Sequence, residues 1–429
     1  MTEGMTGSGL MERARAVIPG GMYGHMANTS LPENYPQFLT RAEGARVWDH
    51  DHRPLVDLMS AFGANLLGYR HPGVEAAAAA QAALGDTMSA PGTVMVDLCE
   101  RLVGMIAGSA WAMPCKNGTD ATSMALVVAR KATGRRKILI GRGTYHGAAN
   151  WCTPVPAGTL PEDRAHLVYY RDQDARSLAQ AMAEHAGDVA GVLATSFRHE
   201  SFRDQTLPSA DFARAARELC DAEGAVLILD EVRAGFRLAR GSSWEGLGVT
   251  PDLACYGKVL GNGHAISALL GAESLRDAAS SIYVTGSYWF SAVPMAAAMA
   301  TLSEITDGDY LERMVANGHR IRDTLALQAA RYGLPLVQTG PVQMPQILFD
   351  EDHDLRLGYG FCRTVMQHGA WMHPSHNMFV SPALTEADLE TLFAATDAAL
   401  AVIAADRTAL PPVAAAISDK RLRLRAQDL

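Results

Sequence analysis

Two residues near the middle of this 429-residue chain have the types and settings for covalent chemistry: an acid, Asp230, and an amine, Lys258. Asp230 follows four apolar residues in the run VLILDEVRAGFR, residues 226–237. Lys258 ends a second run, LACYGK, residues 253–258. A short apolar run ending in polar residues predicts a buried parallel strand whose carboxyl end opens on a site. Ligands of open α/β sheets sit at those ends. A lysine there can form an imine with a cofactor aldehyde, and an acid can hold a pyridinium nitrogen protonated. That pair suits pyridoxal 5'-phosphate (PLP), an electron sink. Each residue alone has a plainer reading. Asp-Glu after a strand is often a helix cap with a charged first turn, and a lysine in a glycine-containing loop is usually a solvated surface residue.

The pair gains weight from a phosphate-binding turn upstream. The run KNGTDA, residues 116–121, precedes a helical stretch, 122–132. A Gly-Thr turn at a helix N-terminus offers backbone N–H groups, a hydroxyl and the positive end of the helix dipole. A plain cap by Thr119 or Asp120 is the bland alternative. GTYHG, residues 143–147, follows an expected strand at 137–140. Tyr145 at that strand end can stack on a flat ring, or simply pack half-buried.

A chain of 429 residues exceeds one small core and predicts two or three domains. Hydrophobic residues are 48% and charged residues 19%, a globular balance. The net charge of −9 argues against a nucleic-acid partner. An anionic cofactor must therefore be held by local dipoles. The six cysteines show no C-x-x-C pattern and suggest free thiols in a reducing compartment. No basic region followed by an apolar run opens the chain, and no eighteen-residue apolar stretch occurs. A cytoplasmic protein with no membrane partner is the expectation.

The positioning elements follow from periodicity. Residues 47–49 and 55–57 predict a hairpin around Asp51-His-Arg-Pro54. Residues 74–85 and 94–106 predict helices. From about residue 110, strands are expected at 111–114, 137–140, 167–170, 189–194, 226–229, 253–256 and 268–271. Helices at 121–132, 175–186 and 209–222 alternate with them, which predicts a largely parallel sheet. A long helix at 311–331 leads to a small α+β unit, with strands at 336–337 and 346–349 and helices at 358–368 and 386–405. The expected division is 1–60, an N-terminal segment and lid belonging to the small domain; 61–310, the large cofactor-binding domain; and 311–429, the small C-terminal domain.

The ordered motifs resemble the class III aminotransferases of PLP fold type I, and within them the glutamate-1-semialdehyde aminomutase group. The likeness rests on IPGG at 18–21, GARVWDHD at 44–51, LGYRHP at 67–72, NGTDA at 117–121, YHG at 145–147, DEV at 230–232, GFR at 235–237, GK at 257–258, MHPS at 372–375 and TEAD at 385–388. It covers nearly the whole chain. It implies an α/β fold, with a mainly parallel seven-stranded sheet in the large domain and a smaller α+β domain.

The resemblance also implies roles. Lys258 would form the imine with PLP and shuttle a proton between substrate Cα and cofactor C4'. Asp230 would pair with the pyridinium nitrogen. Val232 and Tyr145 would cover opposite ring faces. Gly118 and Thr119, with Asn117 in place of the usual serine, would hold the phosphate. Ser287 would reach the phosphate of a second subunit, giving a homodimer with shared active sites.

Departures bear on substrate. The family's Glu-Pro after the fifth strand is absent, and TSFRHE stands at 195–200. That leaves His199 or Glu200 as candidate partners of the pyridine 3'-oxygen. Ala27 stands where amino-acid-using relatives carry an arginine, which removes a bidentate carboxylate contact. Tyr23, His25, Trp151 and Trp289 are the candidate substrate residues. They predict an aromatic-rich pocket for an apolar or aromatic amine. The alternatives are that these aromatics pack a dimer interface, or that Arg198, Arg203 or, best placed of the three, Arg233 replaces the missing guanidinium. The small-molecule substrate is thus an amine or amino acid. The reaction expected is amino-group transfer to a ketone, aldehyde or keto acid. An aminomutase or epimerase on the same fold remains the alternative.

Overall fold

The computed structural model describes residues 7–199 and 201–426. Three antiparallel strands come first: β1 (Leu39–Glu43), β2 (Arg46–Asp49) and β3 (Pro54–Asp57). The expected hairpin is β2–β3. The added strand β1 is polar and mostly exposed, so it lacks the alternation that marks a half-buried strand. A helix at Gly7–Val17 was also not expected from its Gly-rich start.

Seven further strands form the main sheet: β4 (Trp111–Cys115), β5 (Lys137–Gly141), β6 (Leu167–Tyr170), β7 (Val189–Thr195), β8 (Val226–Asp230), β9 (Leu253–Tyr256) and β10 (Ser267–Gly271). Their spatial order is β4-β10-β9-β8-β7-β5-β6. The five neighbours from β9 to β6 pair in parallel, and β10 runs antiparallel to both β4 and β9. Since β10 reverses twice, β4 points the same way as β9. The carboxyl ends of β4, β5, β7, β8 and β9 therefore lie along one edge.

Helices cover the sheet. Gly118–Thr133 packs Ala121, Met124, Ala125 and Val128 into one apolar layer with Ile228 and Leu269. Ala210–Glu223 places Phe212, Ala213, Ala216 and Cys220 in another, with Leu227 and Leu229. Strand β8 is buried along its whole length, since its side chains face one layer or the other in turn.

The C-terminal part holds strands β11 (Leu336–Thr339), β12 (Gln346–Phe349) and β13 (Ala370–Trp371), with helices Arg356–Gln367 and Glu386–Ala405. Strand β13 pairs in parallel with β3, joining residues 54–57 to the C-terminal part of the chain. Two residues of strand carry no periodic signal. Among the described residues, no helix is long and apolar enough to cross a membrane.

Candidate active site

The carboxyl ends of β4, β5, β7, β8 and β9, with the N-terminal turn Gly24–Met26, bring candidate residues to one cleft of about 550 Å³. His25, Asn117, Gly118, Thr119, Tyr145, Asp230, Val232 and Lys258 all line it, together with His146, His199 and Arg233. Asp230 and Lys258 arrive from adjacent parallel strands, where Asp230 pairs with Cys255.

Asp230 is almost buried, and its carboxylate is fixed on both oxygens. Oδ1 accepts from the Val232 N–H at 3.0 Å, and Oδ2 lies 2.7 Å from His146 Nδ1. A carboxylate only accepts, so His146 carries its proton on Nδ1. His146 Nε2 is 2.9 Å from the Thr144 hydroxyl. His146 was not singled out from the sequence, although it follows Tyr145. His146 turns to the buried acid while Tyr145 stays half-exposed.

Lys258 has φ +45°, in the left-handed region that a side chain rarely adopts. Burial, with the nearby Arg233 cation, pushes its ammonium down to about 7, while Asp230 opposes that shift. The amine is thus partly neutral at physiological pH and able to attack an aldehyde.

At the turn before helix Gly118–Thr133, Asp120 accepts from the Asn117 N–H at 2.8 Å. Gly118 and Thr119 are the first helical residues, whose N–H groups have no acceptor within the helix. A Cβ on Gly118 would lie 2.7 Å from Val232 Cγ1, so only glycine allows Val232 to close on the turn. The Thr119 hydroxyl accepts from the Ala148 N–H at 3.2 Å, tying the turn to the Tyr145 loop. Helix N-terminus, fixed carboxylate and desolvated lysine converge on one cleft. These residues fit a phosphorylated pyridine aldehyde.

The family model for aminotransferase class III matches residues 29–391. The chain belongs to the class III aminotransferases. Class III enzymes use PLP, and PLP is the cofactor here. A relative named aminopentol aminotransferase, from Sphingopyxis macrogoltabida, is 53% identical over 412 residues, covering 96% of this chain and 98% of the relative. The solved PLP internal aldimine form of the Sphingopyxis sp. MTA144 FumI protein is also 53% identical, with TM-score 0.94, covering 95% of this chain and 98% of that one. The finer likeness drawn from the motifs is more distant. A glutamate-1-semialdehyde 2,1-aminomutase from Leptothrix cholodnii is 31% identical, over 91% of this chain and 97% of the relative. The enzyme is thus a PLP-dependent aminotransferase of fold type I.

The other expected site residues fall elsewhere in the single class III chain. Trp151 lines a neighbouring cavity of about 410 Å³, where its indole N–H donates to Ser123 Oγ at 3.0 Å. Tyr145 and His146 form the wall common to both cavities. Tyr23 is 71% exposed, Ser287 is exposed, and Trp289 packs over Gly286 against the apolar layer below the sheet. Tyr145 is therefore the one Phe, Tyr or Trp among the described residues lining the cleft. The rest of the wall is mainly polar and charged, with Val232, Ala148 and Ala149 as its apolar side chains. Sequence proximity to a site does not fix which side of a loop a ring takes.

His199 lines the cleft, where burial and the neighbouring Arg233 keep its imidazole neutral. Glu200 lies outside the described residues. Nearby, Ser60, Ala61 and Phe62 take successive positive φ values of 45°, 51° and 55°. That left-handed turn sets Phe62 edge-on against His25 and His376, with ring centroids 5.0 and 5.6 Å apart.

Proposed function

We propose that this aminotransferase takes its amino group from an aliphatic amine of the amino-alcohol or aminopolyol class, by analogy with the relative named aminopentol aminotransferase. The observation that carries the reading is the pairing of Asp230 and Lys258 at adjacent strand ends, above a phosphate-type turn. The wall of neutral imidazoles offers hydrogen bonds to hydroxyls without demanding a charge.

When bound, PLP supplies an aldehyde for the substrate amine and a pyridinium that draws electrons from its Cα–H bond. In this reading Asp230, aimed by His146 and the Val232 N–H, holds the proton at the ring nitrogen. Lys258, as a free amine, would move the proton between substrate Cα and cofactor C4'. Its lowered proton affinity suits both halves of that transfer. Gly118, Thr119 and Asn117 bind the phosphate by N–H groups and a hydroxyl. Val232 and Tyr145 would cover the ring, and His199 is the described candidate for the 3'-oxygen.

The working form is taken to be a homodimer, in which Ser287 of the partner subunit completes the phosphate site. The exposed Tyr283 and Tyr288 flank that serine. The N-terminal 1–60 and C-terminal 311–429 segments form one small domain against 61–310, in keeping with the β3–β13 pairing. The six free thiols suit the cytoplasm.

The test is product analysis with purified enzyme, an amino alcohol donor and an added oxo acid. Transfer yields the new amino acid and the donor's ketone in equal amounts. An isomerised donor without transfer would instead place the enzyme with the aminomutases.

A further inference from the structure

Arg233 brings a guanidinium to the cleft wall beside Lys258. Its Nη1 donates to the Asn377 side-chain oxygen at 2.7 Å and to the His199 carbonyl at 3.3 Å. Asn377 is buried, and its amide nitrogen donates to the Met378 carbonyl at 2.7 Å, which turns its oxygen toward Arg233. Both anchoring bonds use Nη1. They leave the Nε–Nη2 edge, the edge that grips a carboxylate through two parallel bonds, out of the anchoring. Asp230, the acid whose charge acts on Arg233, is already engaged by His146 and the Val232 N–H.

The charges around this site point the same way. Among the described residues lining the cleft, the cation-forming groups are Arg233, Lys258 and the imidazoles of His25, His146 and His199. His25, His199 and the adjacent His376 are all held toward the neutral form. Lys258 would give up its charge to the bound cofactor. Arg233, lowered only to about 10 by burial, then remains as a permanent cation in a desolvated wall. A half-buried cation whose neighbouring acid, Asp230, is already engaged elsewhere is complemented by an anion brought by substrate.

We propose that Arg233, braced by Asn377, is the group of this cleft that binds the carboxylate of the acid partner in the exchange. This rests on the reading that the amino group changes hands at Lys258, and it assigns the acid to one half-reaction and the neutral amine to the other. The group replaces the guanidinium that is missing at Ala27 and approaches from the loop after β8.

The experiment titrates the PLP-loaded enzyme with two unreactive probes of equal size, propionate and propionamide, followed by the cofactor absorbance and by calorimetry. Wild type binds propionate at least tenfold more tightly than propionamide. That ratio falls at least tenfold in Arg233→Met. It is intermediate in Arg233→Lys, which keeps the charge without the fork. It also falls in Asn377→Asp, whose new carboxylate competes for the guanidinium. Equal affinity for the two probes in wild type overturns the proposal. So does a ratio unchanged in both Arg233 variants. If the acid preference tracks Arg233 but no oxo acid is aminated, the transfer reading fails and the clamp stands. If oxo acids are aminated with the ratio insensitive to Arg233, the clamp fails and the transfer reading stands.

Discussion

His146 Nδ1 stands 2.7 Å from Asp230 Oδ2, with both side chains almost wholly out of solvent. The acid that faces the cofactor ring is thus aimed by a residue beneath it. His146→Ala should lower turnover roughly 10- to 100-fold, the worth of a hydrogen bond to a charged group. His146→Asn, which can still donate, should recover part of the loss. Steady-state kinetics with a fixed donor checks this. The cofactor's ring-protonation band should shift in the alanine variant, which a purely structural defect would not cause.

Cofactor uptake should be pH-dependent through Lys258. Its folded-state ammonium sits at about 7 instead of the ordinary 10.5. Only the neutral amine attacks the aldehyde. The rate of PLP uptake by apoenzyme should therefore rise about tenfold per pH unit below 7 and level off above it. A rate still climbing toward pH 10 would show an ordinary lysine.

Glu231 should oppose stability at high pH. Burial raises its carboxyl from 4.5 to about 7, partly offset by the Ser242 hydroxyl and the Ser243 N–H. Between those values the folded state holds a proton that the unfolded state has lost. Stability from this group is complete below about 4.5 and is lost as pH rises through 7. Glu231→Gln stays neutral and keeps an acceptor for Ser242. Its melting temperature should exceed that of wild type above pH 7 and converge with it near pH 5. Parallel melting curves across pH would contradict this.

Ala61→Gly should stabilise the fold by up to about 1 kcal/mol, because a left-handed alanine carries a Cβ penalty that glycine lacks. The turn holds Phe62 between His25 and His376. The same change should therefore weaken substrate binding, seen as a raised KM with kcat little altered. Thermal unfolding and kinetics on one preparation test both halves.

Shared sites make a mixing experiment decisive for the proposed dimer. Lys258→Ala and a Ser287 variant are each impaired alone. In a mixed dimer both lesions fall in one site and the other site is intact. Recombining the two proteins should restore about half of wild-type activity per mixed dimer, by the symmetry of a two-fold interface. Activity no better than that of the parents would place Ser287 away from the phosphate.

Much of the large sheet was legible because most of its strands are short apolar runs, several of them closed by a polar residue. Asp230 and Lys258 stood out for that reason. What stayed hidden had no local signal. Strand β13 exists only through its pairing with β3, and β1 is too polar to alternate. His146 was masked by the ring beside it. Trp151 and Trp289 lie near the site in sequence but turn toward Ser123 and Gly286. The Arg233 position was readable from its spacing, three residues beyond Asp230. Its brace, Asn377, is 144 residues away and could come only from the fold.

Val232 touches the phosphate turn and the lysine loop with one isopropyl group. A Cβ added to Gly118 would meet Val232 Cγ1 at 2.7 Å, and one added to Gly257 would meet it at 3.4 Å. The three segments are therefore in gear. Alanine at 118 is intolerable beside valine but has room beside a smaller neighbour. A Val232→Ala change should act as a suppressor of Gly118→Ala. In evolutionary terms the two positions form a ratchet, in which the valine must shrink before the glycine is free to change.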